Sequence, residues 1–355
     1  MNIADARMHS QRLVAPAFET PGEVVRWMGA MQAQDYHQAV WAIGSRMANP
    51  ALTAVEAAID AGDILRTWPM RGTIHFVAAE EARWRVELAA DRIRSSGTAR
   101  RRQLDLTDDD VNRCRDIAEK RLAGRRRMQR GDLLRAFEEG GVSTAGQRGY
   151  HILGQLALQA VLCIGPNDGK QQTYVLLDDW THGAPSRPRD EALAELARRY
   201  AISHGPATAH DLAWWAGITV TDARAGFEAA RPDVTPRDID GTVYWSADGT
   251  GDQTVGAGHL ALLAGFDEYL LGYQNRDAVI DRANASAVCP GGNGVFYPMI
   301  VVGGQIVGTW RRTLRKGLAV IGREVFPGVT VSDDAFASAA RRYAAFHGLS
   351  VAFET

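Results

Sequence analysis

Three glutamines fall within the seven positions Gln32-Ala33-Gln34-Asp35-Tyr36-His37-Gln38, and their type and spacing could do chemistry. A glutamine amide offers one carbonyl acceptor and two N–H donors. It takes no proton at neutral pH, so Gln32 and Gln34 could hold a water or the edge of a base by hydrogen bonds alone. By periodicity the stretch closes the first amphipathic helix, where residues two apart point roughly 200° apart. The two amides then converge only where that helix is ending, which Asp35, a poor interior helix former, would permit. Asp35 itself is expected to cap the next helix rather than do chemistry. A solvated helix end is the other reading of these residues, since glutamine is mostly exposed.

Other enzyme patterns fall short. Gly165-Pro166-Asn167-Asp168-Gly169-Lys170 is one residue short of a phosphate loop and sits between strands, so it reads as a hairpin turn. Gly249-Thr250-Gly251 and Gly256-Ala257-Gly258 lack the third glycine of a dinucleotide loop. There is no His-Glu-x-x-His, Cys-x-x-Cys or Gly-x-Ser-x-Gly, and His204 and His210 have no evident third ligand. No cofactor is expected, metal or nucleotide.

The elements that must position the glutamines begin at Pro21-Gly22, where a helix carries Val24, Val25, Trp27, Met28 and Met31 at helical spacing. Helices at 40–47 and 54–61 follow. Then β-rich runs at 64–68 and 73–77 flank Pro69-Met70-Arg71-Gly72, a hairpin with a four-residue turn. Three short helices and a hairpin make a winged helix. On its wing, Arg71 and His75 could meet nucleic acid; His75 could equally satisfy a neighbouring backbone group.

The order recurs. Charged helices near 79–94 and 108–122 precede helices at 132–139 and 144–159 and a second wing at 161–164 and 173–177. A Gly- and Pro-containing linker at 181–190 and a helix at 191–203 lead to a helix-turn-helix, with Thr208 as N-cap, Asp211 three positions on, and Gly217 before a helix from Thr219 to Phe227. A third wing spans 234–239 and 242–245. Strand-like runs at 260–263, 295–302, 306–312 and 318–321, a helix at 333–346 and a strand at 350–353 finish the chain. The fold expected is α+β, three tandem winged helices followed by a small β-barrel-like domain, divided as 1–100, 101–180, 190–250 and 258–355.

Composition sets bounds. The 355 residues are 46% hydrophobic and 23% charged, as in an ordinary soluble protein. The first ten residues lack a signal-peptide pattern and the apolar runs are too short to span a bilayer, so a cytoplasmic protein with no membrane partner is expected. Three dispersed cysteines, Cys114, Cys163 and Cys289, offer no disulfide framework. The net charge is −2, yet residues 83–135 carry 16 Arg or Lys against nine Asp or Glu. That local basic stripe suits binding along one face, although a solvated helix surface laced with opposite charges explains it too.

Met31-Gln32-Ala33-Gln34-Asp35, Trp68-Pro69-Met70-Arg71-Gly72-Thr73-Ile74-His75, Gly265-Phe266-Asp267-Glu268-Tyr269-Leu270-Leu271-Gly272-Tyr273 and Gly308-Thr309-Trp310-Arg311-Arg312 together resemble the bacterial AlkZ and YcaQ family of winged-helix DNA glycosylases. The resemblance covers nearly the whole chain. It implies a concave DNA-binding surface and excision of alkylated bases, bulky adducts and interstrand crosslinks at purine N7 included, supported by a Gln-apolar-Gln motif. Gln32 and Gln34 match that motif, the AlkZ version, and are the expected catalytic residues. Alkylation at N7 makes the base a cation that leaves as a neutral molecule, so little general-acid help is needed. What remains is to orient a water at C1′ and stabilise oxocarbenium character, which amide dipoles can do.

A strand-cutting glycosylase needs an amine. The chain has only Lys120, Lys170 and Lys316 as lysines, none near the motif, so hydrolysis stopping at an abasic site is expected. The expected partner is double-stranded DNA containing alkylated purines, with no obligate protein partner and a monomeric protein. Arg71, His75, Arg100, Arg101, Arg102, Arg125, Arg126, Arg127, Arg311 and Arg312 are the candidate DNA contacts. The alternative is a winged-helix transcription regulator. Its recognition helix at 220–227 would offer Arg224 as one long basic reader, with Asp222 and Glu228 opposing phosphate approach.

Overall fold

Capping side chains set many of the helix boundaries in the computed structural model, which describes residues 1–231, 233–247, 249 and 253–354. Thr20 accepts from the Glu23 N–H while the Glu23 carboxylate accepts from the Thr20 N–H, opening Pro21–Met28. Thr107 and Asp110 make the same reciprocal pair before Asp108–Leu122. Thr208 and Asp211 do so before Ala209–Ala216, as their spacing implies. Within the Gly249-Thr250-Gly251 run, Thr250 and Gly251 lie outside the described residues. The fold is α+β, in two compact units. One comprises Met1–Val55, Ala194–Trp215 and Thr219–Thr355, and the other Glu56–Leu193 with Ala216–Ile218.

In the second unit, strands Thr73–Ala78, Ile64–Met70, Leu162–Ile164, Thr173–Leu176 and Met128–Gln129 lie side by side in that order. The first hairpin turns on Arg71 and Gly72 alone, with Met70 opposite Thr73. The expected four-residue turn is thus only two residues long. Arg71 and Gly72 both adopt positive φ, 51° and 69°, the twist that a two-residue hairpin requires. The register shifts between Thr67 and Met70, where Pro69 has no N–H to give. Leu133, Phe137, Ile152, Leu156 and Leu162 pack with Cys114 in the core. Burial pushes the Cys114 thiol up to about 12 and raises Cys163 too, so both behave as small apolar side chains.

The first unit holds a five-stranded sheet, Ser350–Phe353, Leu318–Val325, Gln305–Arg315, Met299–Val302 and Leu260–Leu263 in that order. The barrel-like expectation is realised as an open half-barrel. The strand expected from 295 starts only at Met299, after Pro298, which cannot donate to a ladder. Helix Asp333–Phe346 packs by Tyr343, whose ring lies 5.0 Å from Trp41 and 4.8 Å from Trp310. The two indole N–H groups donate to Leu262 O and Leu263 O, each at 2.8 Å, so both tryptophans are held to neighbouring carbonyls of one strand. Ahead of the short helix Glu268–Leu271, Phe266 takes φ 63° and Asp267 accepts from the Tyr269 N–H. The same carboxylate grips Arg46 through two bonds of 3.0 and 2.8 Å, with both side chains fully buried.

Among the described residues, three helices of ten or more residues each lead directly into an antiparallel hairpin. Leu52–Ala61 precedes Ile64–Met70 and Thr73–Ala78, Arg148–Leu158 precedes Leu162–Ile164 and Thr173–Leu176, and Val220–Ala229 precedes Thr235–Ile239 and Thr242–Ser246. No helix among the described residues is long and apolar enough to cross a membrane.

Candidate active site

The glutamine pair does not close a helix. Pro21–Met28 stops at Gly29, whose φ of 77° takes the chain out of the helix, and Met31–Gln32 is a two-residue strand. In extended backbone, alternate side chains share a face. Met31 and Ala33 are fully buried, whereas Gln32 is half-buried and Gln34 exposed. The amides therefore converge by strand alternation: Gln32 Nε2 donates to Gln34 Oε1 at 3.0 Å. That bond leaves donors on both amides and the Gln32 carbonyl for a third party. On the backbone, the Gln32 N–H donates to Glu268 Oε1 at 2.9 Å.

Asp35 caps Tyr36–Gly44, accepting the Gln38 N–H at 3.2 Å, the role expected of it. The helix begins at Tyr36, four residues earlier than the expected 40, because that cap acts directly after the glutamines. Gln38 Oε1 in turn accepts the Gly265 N–H at 2.9 Å. Gln38 also lines a cleft of about 320 Å3 with Tyr297, Thr309, Arg311, Arg312 and Glu324. Here Arg312 lies over the Tyr343 ring at 5.9 Å, and Arg311 pairs with Glu354 at 2.5 Å.

His347 adds a pH dependence to this region. Burial foremost, then Arg312 and His37, lower it to about 4. Between pH 6.5 and 4 the unfolded chain binds a proton that the folded chain resists, so stability is present above 6.5 and is lost as pH falls toward 4. His204, also lowered by burial, acts in the same direction. Melting temperature should therefore drop over that window, and His347→Phe should flatten the drop. An unchanged slope would contradict the assignment.

The other candidate residues lie as follows. Arg100 and Arg102 are exposed and Arg101 half-buried, on helix Thr98–Gln103. Arg100 reaches Gln147 and Arg101 reaches Gln155. Arg125, Arg126 and Arg127 are exposed; Arg125 stacks 4.7 Å from the Trp180 ring. Arg71 is half-buried at its turn. His75 is fully buried, with Nδ1 3.0 Å from Thr73 O. It has no surface to offer a phosphate, so it leaves the set of DNA contacts as a core histidine serving a nearby carbonyl.

Sequence reasoning gave Glu268 no role. A signal was present: two adjacent carboxylates, Asp267 and Glu268, within the apolar run from Leu260 to Leu271. Charges so placed are buried only when paired.

Among the described residues no group of three or more His, Cys, Asp or Glu is placed to hold a metal ion.

A family model described as DNA glycosylase AlkZ-like matches residues 25–346. A Streptomyces sahachiroi protein named interstrand DNA cross-link repair glycosylase is 28% identical over 329 residues, covering 86% of this chain and 85% of that one. The solved structure of Streptomyces sahachiroi DNA glycosylase AlkZ is similar with a TM-score of 0.82 at 24% identity, over 99% of this chain and 98% of that one. That likeness shows the fold.

Proposed function

The chain belongs to the AlkZ-like DNA glycosylase family and is a DNA glycosylase, and from that premise we propose that it hydrolyses the N-glycosidic bond of N7-alkylated purines, interstrand crosslinks included, with a water oriented by Gln32 and Gln34. The observation that carries this reading is the bonded pair of neutral amides on one face of an extended segment. Gln34, the more exposed, orients the water toward C1′, and Gln32 holds Gln34 and the sugar side of the water. Neither amide can protonate a leaving base, so the site favours bases that already carry positive charge. The name of the Streptomyces sahachiroi relative supports crosslinks as substrates.

The three helix-and-hairpin segments act as winged helices on double-stranded DNA. Arg71, Arg100, Arg101, Arg102, Arg125, Arg126, Arg127, Arg311 and Arg312 contact phosphates without reading sequence. The protein works in the cytoplasm as a monomer and stops at an abasic site, since the motif supplies no amine for a Schiff base.

The test is incubation of the purified protein with duplex DNA carrying one N7-methyl-2′-deoxyguanosine. The expected products are free N7-methylguanine and an alkali-labile, uncut strand. Absence of released base from every N7 adduct tried would overturn the proposal, and a strand cut without alkali would overturn its monofunctional part.

A further inference from the structure

We propose that Glu268 is a positioning residue for the glutamine pair, its carboxylate pinning the Gln32 peptide and so setting the direction of both amide side chains. The inference rests on reading Gln32 and Gln34 as the catalytic pair.

Glu268 is 1% exposed, and both its oxygens are engaged on the way to the site. Oε1 accepts the Gln32 N–H at 2.9 Å. Oε2 accepts the indole N–H of Trp215 at 2.8 Å and lies 3.7 Å from His204 Nε2. Trp215 is itself 1% exposed and packs 4.9 Å from Tyr200, whose hydroxyl donates to Gly272 O at 2.6 Å. The carboxylate is therefore fixed from behind before it meets the strand.

Strand geometry turns that contact into control of the amides. In extended backbone the N–H points sideways, across the direction of the side chains. Fixing the Gln32 N–H fixes the rotation of the segment about its own axis, and with it where Gln32 and Gln34 both point. An ionised acceptor makes a shorter and stronger bond than a neutral one. Burying a carboxylate is costly, and apolar packing alone would hold Met31 and Ala33 in the core. That packing turns Gln32 and Gln34 to the opposite face by strand alternation, and the bond to Glu268 adds a fixed point on the Gln32 peptide itself, which sets the angle at which the two amides stand.

The test measures single-turnover excision from duplex DNA carrying one N7-methyl-2′-deoxyguanosine, DNA affinity, and hydrogen exchange at the Gln32 amide. Glu268→Ala should slow excision about 100-fold, the scale of a misplacement near 1 Å, with affinity unchanged and faster exchange at Gln32. Trp215→Phe, which removes one anchor of Glu268, should slow it roughly tenfold, as loss of a partner that orients a site group does. Glu268→Gln keeps the shape but turns one acceptor into a donor, and should fall between wild type and Glu268→Ala. A wild-type rate in folded Glu268→Ala or in Trp215→Phe overturns the proposal. So does a parallel loss of rate, affinity and melting temperature, which marks a merely structural role. If Glu268→Ala does not fold, the rates of Trp215→Phe and Glu268→Gln decide. Gln34→Ala is run alongside: full activity there fells the catalytic-pair reading instead, while exchange at Gln32 still reports whether Glu268 holds the strand.

Discussion

Gln34→Ala should lower the single-turnover rate of N7-methylguanine release by roughly 100-fold or more, the cost of removing one preorganised dipole from a developing charge. DNA affinity should hold, because phosphate contacts by arginine dominate binding. The substitution removes the amide that accepts from Gln32 Nε2 and the most exposed polar group of the pair. Gln32→Ala should also lose rate, and the double variant should lose less than the product of the two, since the amides act as a unit. An intact rate in Gln34→Ala would remove the glutamines from the mechanism.

Asp267→Ala should destabilise the protein by roughly 3–5 kcal/mol, the usual cost of removing one partner of a buried ion pair. Arg46 would be left charged and fully buried, keeping, among the described residues, its bonds to Ala42 O, Ser45 Oγ and Gln11 Oε1. The cap on Glu268–Leu271 would go as well. The measurement is the urea midpoint followed by tryptophan fluorescence, which should fall with little change in slope. Arg46→Met combined with Asp267→Leu should recover much of the loss, because apolar groups of similar size can replace a buried pair. An unchanged midpoint in Asp267→Ala would mean that the carboxylate is not needed to hold Arg46.

Local chemistry was legible where a few neighbouring residues decide the outcome. Thr208 and Asp211 announce the start of a helix, Asp35 announces a cap, and the runs at 234–239 and 242–245 announce a hairpin that closes with Ile239 opposite Thr242. Residue type alone marks the glutamines, but periodicity places them on a helix where the backbone is extended. Met31 continues the helical spacing of Val24 and Met28, whereas Gly29, between Met28 and Met31, takes a positive φ that ends the helix. Contacts distant along the chain stayed hidden. Nothing local ties Gln32 to Glu268 across 236 positions, or places Met1–Val55 with Thr219–Thr355 in one unit. His75 shows the converse: its burial follows from packing around the hairpin, which strand alternation did not reveal.

The central claim is that neutral amides excise bases already made cationic. It is tested most directly by comparing, in one duplex sequence, single-turnover release of N7-methylguanine with that of O6-methylguanine, an adduct of similar size without the positive charge. The first should be released and the second should show no measurable release. Comparable release of both would contradict the claim, because the neutral base would need a proton that Gln32 and Gln34 cannot give.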